Sequence, residues 1–439
     1  MRDHSSHVEF TRENAIETMV ETCGFAFGFG EDGAEGVALG RSEMVPLEKA
    51  FGRVLAADVV SRVMSPTVLT CCMDSVAVHW SDFEGGKVPD YSAWVRGVDW
   101  QFANTGIAMP EGFDTAVVIE HVEVSPDEQH IVIKAAPSKQ FAGTRAPGEK
   151  MRPGDLLASA GTVVTPDVAA AIGTGNVGNV RVVRKPRVAF LPTGNELMPP
   201  AVPPRGDGAF AGLGKTFETN SILVRGRVEE WGGECMVWDI TPDDPELIAA
   251  SIREACAVAD IVVLNAGSSK GSDDWSCEQM EELGTVYFHE TNHGPGHHSS
   301  YAVVDGTPVV GISGPSRGAS LTLNFYLMPL IRAYLGLDVA PRTAWARLTE
   351  VFPKKHKKPA VEKAEAKSLS GETRPSVVQT ERRFFGIKPV DVTFEEDGTL
   401  AVCPAKGPDP VLSANAVFML PSNPDLHPTV GDVIEIEWR

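Results

Sequence analysis

The fold is decided by a stretch that reads RVAFLPTG over residues 187–194, TNSILVRGRVEEWGG over 219–233, CMVWDIT over 235–241, DPELIAASIREACAVA over 244–259 and DIVVLNAG over 260–267. Its runs of Val, Ile, Leu and Phe predict strands that are buried on both faces. The segments between them space their apolar residues at helical intervals and predict amphipathic helices. Because strands and helices alternate, we predict a doubly wound, mostly parallel sheet in an α/β domain over 185–336.

Polar, glycine-rich segments follow the predicted strands of this domain. They read PTGNE over 192–196, TPDD over 241–244, NAGSSKGSDD over 265–274 and SGPSRG over 313–318. Open parallel sheets bind their ligands beyond the carboxyl ends of the strands. Four such strand ends in one domain therefore predict a ligand site at this edge of the sheet.

The remaining sequence predicts three further domains around the α/β domain. We expect a discontinuous helical N-terminal domain over 1–66 with 145–184, a small β-rich domain over 67–144 and a C-terminal β-barrel domain over 337–439. Within the last, residues 352–376 read FPKKHKKPAVEKAEAKSLSGETRPS. That composition has few apolar residues and predicts a mobile insertion.

Charge and cysteine usage exclude several classes of protein. The chain has 59 acidic and 39 basic residues and a net charge of -20, which argues against a general binder of nucleic acid or of anionic membranes. Its 7 cysteines form no C-x-x-C pair, so neither a zinc ribbon nor a disulfide framework is indicated. No basic leader followed by an apolar run opens the sequence. We therefore expect a reduced, cytoplasmic protein without a membrane span.

Carboxylates and a possible phosphate cradle lie at the predicted strand ends. Glu196 follows a Thr-Gly turn, and a carboxylate at such an edge commonly holds Mg²⁺ or positions water. The cradle would consist of Gly267, Ser268, Ser269, Lys270 and Gly271. Asp273 and Asp274 follow it directly, and carboxylates beside phosphates are favourable when a divalent cation lies between them. Helix capping is the alternative role for Glu196 and Asp274.

Several motifs, in order along the chain, carry a family resemblance. They are PLEKAFGRVLAADVVS at 46–61, NTGIAMPEGFDTAVVIEHV at 104–122, PTGNEL at 192–197, ETNS at 218–221, SANAVFMLP at 413–421 and VGDVIEIE at 430–437. They resemble the family's opening segment, its TGAPVPxGADAVVxxE, TGDEL and DTN motifs, and the end of its barrel. The chain is thus similar over nearly its whole length to the molybdopterin molybdenumtransferase family, MoeA and the gephyrin E domain.

The resemblance implies an elongated homodimer with four domains per subunit. It implies insertion of molybdate or tungstate into adenylylated molybdopterin, with Mg²⁺ and release of AMP. Glu196, Asp244 and Asp274 would be the catalytic residues and hold the Mg²⁺. The cofactor-binding residues would be Asp74, Thr193, Gly194, Thr219, Asn220, Ser221, Gly267, Ser268, Ser269, Lys270, Gly271, His297, Gly314 and Ser316. Molybdenum-cofactor enzymes or other biosynthetic proteins would be possible partners.

The sequence also departs from the family at its site. Leu69 in LTCCMDSVA stands where DNSAMDGYA has its first aspartate, and Lys150 replaces the aspartate of GED. Gly294 and His297 replace the two lysines of KPGKP. Ser313 and Ser316 replace the prolines of PGNP. These changes leave open an alternative function, a non-catalytic paralogue that binds or carries molybdopterin or its metal-loaded form. A gephyrin-like scaffold is a third function that the fold could serve, but no motif points to it.

The segment ETNHGPGHHSS at 290–300 is the least regular of these motifs. By position it resembles the family's lysine-bearing anion loop, so His297, with His298 as a second candidate, is expected to face the pterin phosphate or the oxyanion. Histidine is positively charged mainly below about pH 6.5, so binding of the phosphate or oxyanion is predicted to depend on pH. The alternatives are a transition-metal site built from His289, His293, His297 and His298, or a purely structural turn.

Overall fold

The computed structural model describes residues 10–25, 41–200, 214–266, 276–353, 384–407 and 409–439. The chain divides into a smaller compact unit, Gly28–Val183, and a larger one, Met1–Phe27 with Arg184–Arg439. The first helix, α1 (Arg12–Thr22), belongs to the larger unit, where Phe10 N donates to the carbonyl of Glu290 at 3.1 Å. The N-terminal domain predicted over 1–66 with 145–184 includes this helix, and those domain bounds stay a prediction. No helix in the described ranges is both long enough and apolar enough to cross a membrane.

Across its described residues, 41–183, the smaller unit consists of short strands, one α-helix and a few single-turn 3₁₀ helices. The strands and the α-helix are β1 (Ser42–Pro46), β2 (Val59–Val60), β3 (Thr70–Cys71), β4 (Ser75–Val78), β5 (Trp100–Ala103), β6 (Thr115–Val118), β7 (Val122–Val124), β8 (Ile131–Ile133), β9 (Thr144–Arg145), β10 (Leu156–Ala158), α2 (Pro166–Thr174) and β11 (Asn179–Val183). β1 pairs with β11 and β2 with β10, so the two ends of this stretch fold together. β4 lies between β5 and β6 in the β-rich part, and β7 pairs with β8.

The α/β part of the larger unit contains a six-stranded sheet. Its elements are β12 (Arg187–Pro192), β13 (Leu197–Met198), β14 (Thr216–Phe217), α3 (Asn220–Glu230), β15 (Glu234–Val237), α4 (Pro245–Val258), β16 (Ile261–Ala266), α5 (Ser276–Leu283), β17 (Gly284–Phe288), β18 (His293–Gly294), β19 (Ser300–Val304), β20 (Thr307–Ser313), α6 (Ser316–Thr322) and α7 (Met328–Leu335). A π-helical turn, Leu323–Leu327, joins α6 to α7. The strand order is β15-β12-β16-β20-β19-β17, with β15, β12, β16 and β20 parallel. The predicted doubly wound, mostly parallel sheet is confirmed.

Helix α4 shows how the local sequence builds this layer. Asp244 caps it by accepting from the amides of Glu246 and Leu247 at 2.9 and 3.1 Å, and Pro245 occupies the first turn, where no amide donor is needed. Ile248 and Ile252 are fully buried against the sheet. Each contributes on the order of 2 kcal/mol by leaving water.

The C-terminal part is a closed barrel, as predicted. Its strands are β21 (Thr343–Leu348), β22 (Phe385–Phe394), β23 (Leu400–Pro404), β24 (Ala416–Pro421) and β25 (Val433–Trp438), with a short helix α8 (Pro410–Ser413) before β24. Pairing runs β22-β23-β21-β25-β24 and returns to β22, and β18 adds to the same sheet beside β22. Closure leaves the five barrel strands without a free edge. Most of the predicted insertion at 352–376 lies outside the described residues.

Candidate functional site

The turn after β12 is held against its two neighbouring strand ends. Thr193 is buried, and its Oγ1 donates to the carbonyl of Asn265 at 2.6 Å. Gly194 N donates to the carbonyl of Thr241 at 3.1 Å. Gly194 has a φ of +143°, and a Cβ there would lie 2.6 Å from a carboxylate oxygen of Glu196. The glycine is therefore required for the exposed Glu196 carboxylate to fold back over the turn.

Asn220 joins three elements at the same edge. It begins α3 and is only 4% exposed. Its Nδ2 donates to Asn265 Oδ1 at 2.8 Å and to the carbonyl of Gly314 at 2.9 Å. One amide group thus links the start of a helix to the ends of β16 and β20 and brings together Asn220 and Gly314, two residues that the family resemblance implies at the cofactor site.

A cavity of about 320 Å³ opens beside Asn220. Thr219, Asn265, Gly314 and Ser316 contribute to its wall, as does Glu218. Glu218 is only 5% exposed, and its Oε1 accepts a hydrogen bond from Ser221 N at 2.9 Å. Glu218 belongs to the ETNS motif, but neither its spacing nor the family resemblance singles it out as a site residue. A carboxylate that is nearly buried in a cavity wall is a strong acceptor for N–H donors of a ligand.

Two helices begin at this cavity. In α3, which follows Thr219, the Ser221 amide is held by Glu218 Oε1, whereas α6 follows Pro315 without a side-chain cap and continues through the π-helical turn into α7. The first amides of a helix lack partners within the helix and carry a partial positive charge, so they attract anions. Arg317 also lines the cavity, although its exposed guanidinium pairs with Asp409 at 2.9 Å. The cavity therefore combines a carboxylate with groups that favour an anion.

The carboxylates predicted to hold Mg²⁺ differ in what they contact. Asp244 is the cap of α4, so one of its oxygens already accepts two amides. Its neighbour Asp243 accepts from Asn195 N at 2.8 Å through Oδ2 and donates its own amide to Asn195 Oδ1 at 3.3 Å. Asp243, which the sequence did not single out, thereby ties the TPDD segment to the turn that carries Glu196.

Part of the predicted site lies outside the described residues. This part comprises Gly267, Ser268, Ser269, Lys270, Gly271 and Asp274. Asp74 lies in the smaller unit, where its Oδ1 accepts from the amide of Thr105 at 3.0 Å and from the Thr105 hydroxyl at 3.1 Å. The roles of these residues toward a bound pterin stay predictions.

Within the histidine-rich segment, His293 is a core residue. It is fully buried, with Nε2 2.5 Å from the Tyr326 hydroxyl and Nδ1 3.3 Å from the carbonyl of Pro295. Burial lowers the pKa of His293 to about 4, although the hydrogen bond to Pro295 opposes the shift. The imidazole is therefore neutral at physiological pH and cannot grip an anion.

His297 faces a different group of side chains. Its Nδ1 contacts the carbonyl of Thr291, and its Nε2 lies 3.8 Å from Glu290 Oε2. The His298 ring centroid is 5.0 Å from that of His297. The ligating atoms of Glu290, His297 and His298 all lie within 4.8 Å of one another. Of the four histidines considered as a metal set, the structure thus brings His297 and His298 together and adds a carboxylate; His289 and His293 are not in this group. The intervening Gly-Pro-Gly turn, rather than helical spacing, decides the grouping.

Comparison with known proteins matches two regions of the chain to described families. Residues 11–175 match the MoeA N-terminal region (domain I and II), and residues 189–333 match a family described as a probable molybdopterin binding domain. A molybdopterin molybdenumtransferase of Staphylococcus aureus (strain COL) is 26% identical over 327 residues, which are 71% of this chain and 76% of that protein. One from Haemophilus influenzae is 25% identical over 307 residues, 67% of this chain and 74% of the relative.

A solved structure gives the same fold along the whole chain. The molybdopterin biosynthesis moea protein from Pyrococcus horikosii superposes with a TM-score of 0.68 at 23% sequence identity, covering 98% of this chain and 99% of that one. The resemblance seen in the motifs is confirmed by three findings. The two family regions occur in the expected order, the relatives cited are molybdopterin molybdenumtransferases, and the fold is shared with a MoeA protein. The chain belongs to the MoeA family of molybdopterin molybdenumtransferases as a divergent member.

Proposed function

We propose that this chain inserts molybdate or tungstate into adenylylated molybdopterin and releases AMP. The observation that carries the proposal is the cavity at Asn220, where the buried Glu218 carboxylate lies in the same wall as the uncapped start of α6. A pterin phosphate needs both features, because its ring offers N–H donors and its phosphate is an anion. The homodimer, with the partner subunit's Asp74 closing the site, is part of the same proposal.

Glu218 is the residue that we propose to recognise the pterin ring. The amino group and the adjacent ring N–H of a pterin are parallel donors, and a carboxylate can accept both. Ser221 N occupies only one acceptor direction of Glu218 and fixes the orientation of its carboxylate. The cavity of about 320 Å³ is at the lower end of the range for small-molecule pockets, so it suits one ring system. The rest of the adenylylated substrate would extend over the edge of the sheet at Asn195 and Glu196, which are exposed.

The edge of the sheet offers oxygen donors for the metal that the proposed reaction uses. Glu196 and Asp244 are exposed carboxylates at adjacent strand ends, and oxygen is the donor that Mg²⁺ prefers. Together with Asp274 they would hold Mg²⁺, which when bound would supply charge neutralisation at the phosphates. The chain's own groups would fix the phosphates at the start of α6 and keep the bond to AMP oriented for cleavage as the oxyanion enters the dithiolene.

The surroundings of His297 favour the alternative of a carrier without catalysis. The Glu290 carboxylate lies 3.8 Å from His297 Nε2 and repels an oxyanion from that nitrogen. If no other group binds molybdate, the pterin cavity would retain its ligand without turning it over. In the proposed site, therefore, His297 does not bind the oxyanion.

A single-turnover assay separates the two functions. The purified full chain would be mixed with adenylylated molybdopterin, Mg²⁺ and either molybdate or tungstate, and AMP release and oxyanion retention would be followed. Oxyanion-dependent AMP release supports the transferase. Tight pterin binding without AMP release identifies the carrier, and failure to bind the pterin contradicts both.

Glu218→Gln is expected to weaken binding of molybdopterin about 10- to 100-fold, because it removes one charge-assisted acceptor from a nearly buried position. Fluorescence titration with molybdopterin would measure the change. Glu229→Gln on the exposed side of the same helix removes an equal charge away from the cavity and should leave the affinity within about twofold. Equal losses in the two variants would show that Glu218 acts only through net charge.

Asp274→Asn should weaken Mg²⁺-dependent AMP binding by roughly tenfold or more, as expected for loss of one carboxylate ligand. Calorimetry of AMP binding with and without Mg²⁺ would test this. The matched control is Asp243→Asn: it removes one neighbouring carboxylate charge but no proposed Mg²⁺ ligand, and its amide oxygen can still accept from Asn195 N. If Asp274→Asn binds Mg²⁺ and AMP like the unmodified chain, Asp274 is not a ligand.

A further inference from the structure

Glu290, His297 and His298 form a group of ligating side chains that the proposed transferase chemistry does not use. None of the three is in the described lining of the cavity at Asn220. Their ligating atoms lie within 4.8 Å of one another. Two imidazoles and one carboxylate are a donor set found at three-ligand zinc sites, in which a fourth position is left for water or another ligand.

The hydrogen bond at the far side of His297 suits metal binding. Its Nδ1 contacts the carbonyl of Thr291, an acceptor only, so Nδ1 must carry the proton. In this tautomer of the neutral imidazole the lone pair belongs to Nε2, the nitrogen that lies 3.8 Å from Glu290 Oε2. Metal-bound histidines usually donate their other ring N–H in this way, which fixes tautomer and ring orientation.

The distance between His297 Nε2 and Glu290 Oε2 is close to the separation of two ligand atoms on one zinc ion. Ligands about 2.0–2.1 Å from zinc at a tetrahedral angle are roughly 3.4 Å apart. The observed 3.8 Å needs a change of only a few tenths of an ångström in side-chain position. The side chains of His297 and Glu290 are 29% and 28% exposed, so an ion can reach them from solvent.

The backbone that carries the three residues is fixed by several contacts. Glu290 O accepts from Phe10 N at 3.1 Å, and Thr291 N donates to His297 O at 2.9 Å. Ser299 N and Oγ both donate to Gly296 O, at 3.0 and 2.9 Å. A rigid support lowers the entropy that is lost when ligands are immobilised around an ion.

We propose that Glu290, His297 and His298 bind one divalent transition-metal ion, with Zn²⁺ as the best-fitting ion and its fourth position open to solvent. Two nitrogen donors disfavour Mg²⁺ and Ca²⁺, which prefer oxygen, and they suit Zn²⁺, Co²⁺, Ni²⁺ or Cu²⁺. The site goes beyond the proposed transferase activity and can be measured in the absence of pterin.

The test is titration of the full chain, stripped with a chelator and kept reduced, with Zn²⁺ by calorimetry and with Co²⁺ by visible absorption. We expect one ion per chain and a Co²⁺ band typical of nitrogen and oxygen ligation. His297→Ala and His298→Ala should each weaken Zn²⁺ binding by more than the roughly 10- to 100-fold typical of losing a residue that only orients a ligand. Glu290→Gln should weaken it without changing the shape of the turn.

The matched control is His427→Ala. His427 is a half-buried histidine whose Nε2 contacts the carbonyl of Pro421 at 2.9 Å, outside the cluster, so this variant should bind Zn²⁺ like the unmodified chain. Circular dichroism of the metal-free variants checks that each is folded. If one of the two histidine variants is unfolded, the other histidine variant and Glu290→Gln test the proposal. The proposal is overturned if the chain binds no Zn²⁺, if binding survives all three substitutions, or if the Co²⁺ spectrum shows thiolate ligation from the cysteines.

Discussion

Gly296→Ala should lower the free energy of unfolding by about 4 kcal/mol. Gly296 has a φ of +93°, a conformation that residues with a side chain rarely adopt. An added Cβ would also lie 2.0 Å from Thr322 Cγ2 in α6. Backbone strain and overpacking therefore add at this position. Urea unfolding followed by circular dichroism measures the loss.

Gly306→Ala separates the two causes of that loss. Gly306 has a similar φ of +80° but no atom within 4 Å of an added Cβ, so it should cost only the strain, about 1–2 kcal/mol. Thr322→Ser removes Cγ2 but keeps the hydroxyl that donates to Gly318 O at 3.1 Å, and it should restore part of the stability in the Gly296→Ala background. If Gly296→Ala costs no more than Gly306→Ala, the turn does not pack against α6 as described.

The sheet could be predicted from sequence because its signals are local. Apolar runs such as 187–192 and 261–266 become β12 and β16, and Asp244 with Pro245 starts α4 where the capping pattern indicates. The strand ends then follow from topology, since parallel neighbours end at the same edge of the sheet. The contacts of Thr193 and Asn220 with Asn265 bear out this step.

The details of the site could not be predicted because they depend on partners distant in sequence. His289, His293 and His297 are equally spaced, yet His293 is buried by Tyr326, 33 residues further on, whereas His297 turns toward Glu290. Glu218 and Asp243 were not selected from the sequence, because the family motifs point to their neighbours Thr219 and Asp244. Burial and contact, which a single sequence does not show, distinguish Glu218 and Asp243 from these neighbours.

The burial of His293 predicts a second large effect, on stability at acidic pH. An ordinary histidine takes up a proton near pH 6.5, whereas burial lowers the pKa of His293 to about 4 in the folded chain. The unfolded chain therefore binds one more proton than the folded chain between these values. The stability associated with the neutral imidazole is complete above about pH 6.5 and is lost as the pH falls toward 4. The expected loss is about 3 kcal/mol.

His293→Gln isolates this contribution. Glutamine can still bond the Tyr326 hydroxyl but does not titrate, so the difference in unfolding free energy between the two proteins should change by about 3 kcal/mol from about pH 7.5 to about pH 4.5 in favour of the variant. All other titrating groups are common to both proteins and cancel in the difference.

Tyr326→Phe removes the same hydrogen bond but keeps the imidazole, so it should retain the full pH dependence at a lower overall stability. Parallel profiles for His293→Gln and the unmodified chain would mean that His293 takes up a proton as readily in the folded chain as in the unfolded one. The imidazole would then have to be reached by water or an anion, and it would have to be considered again as part of the binding turn.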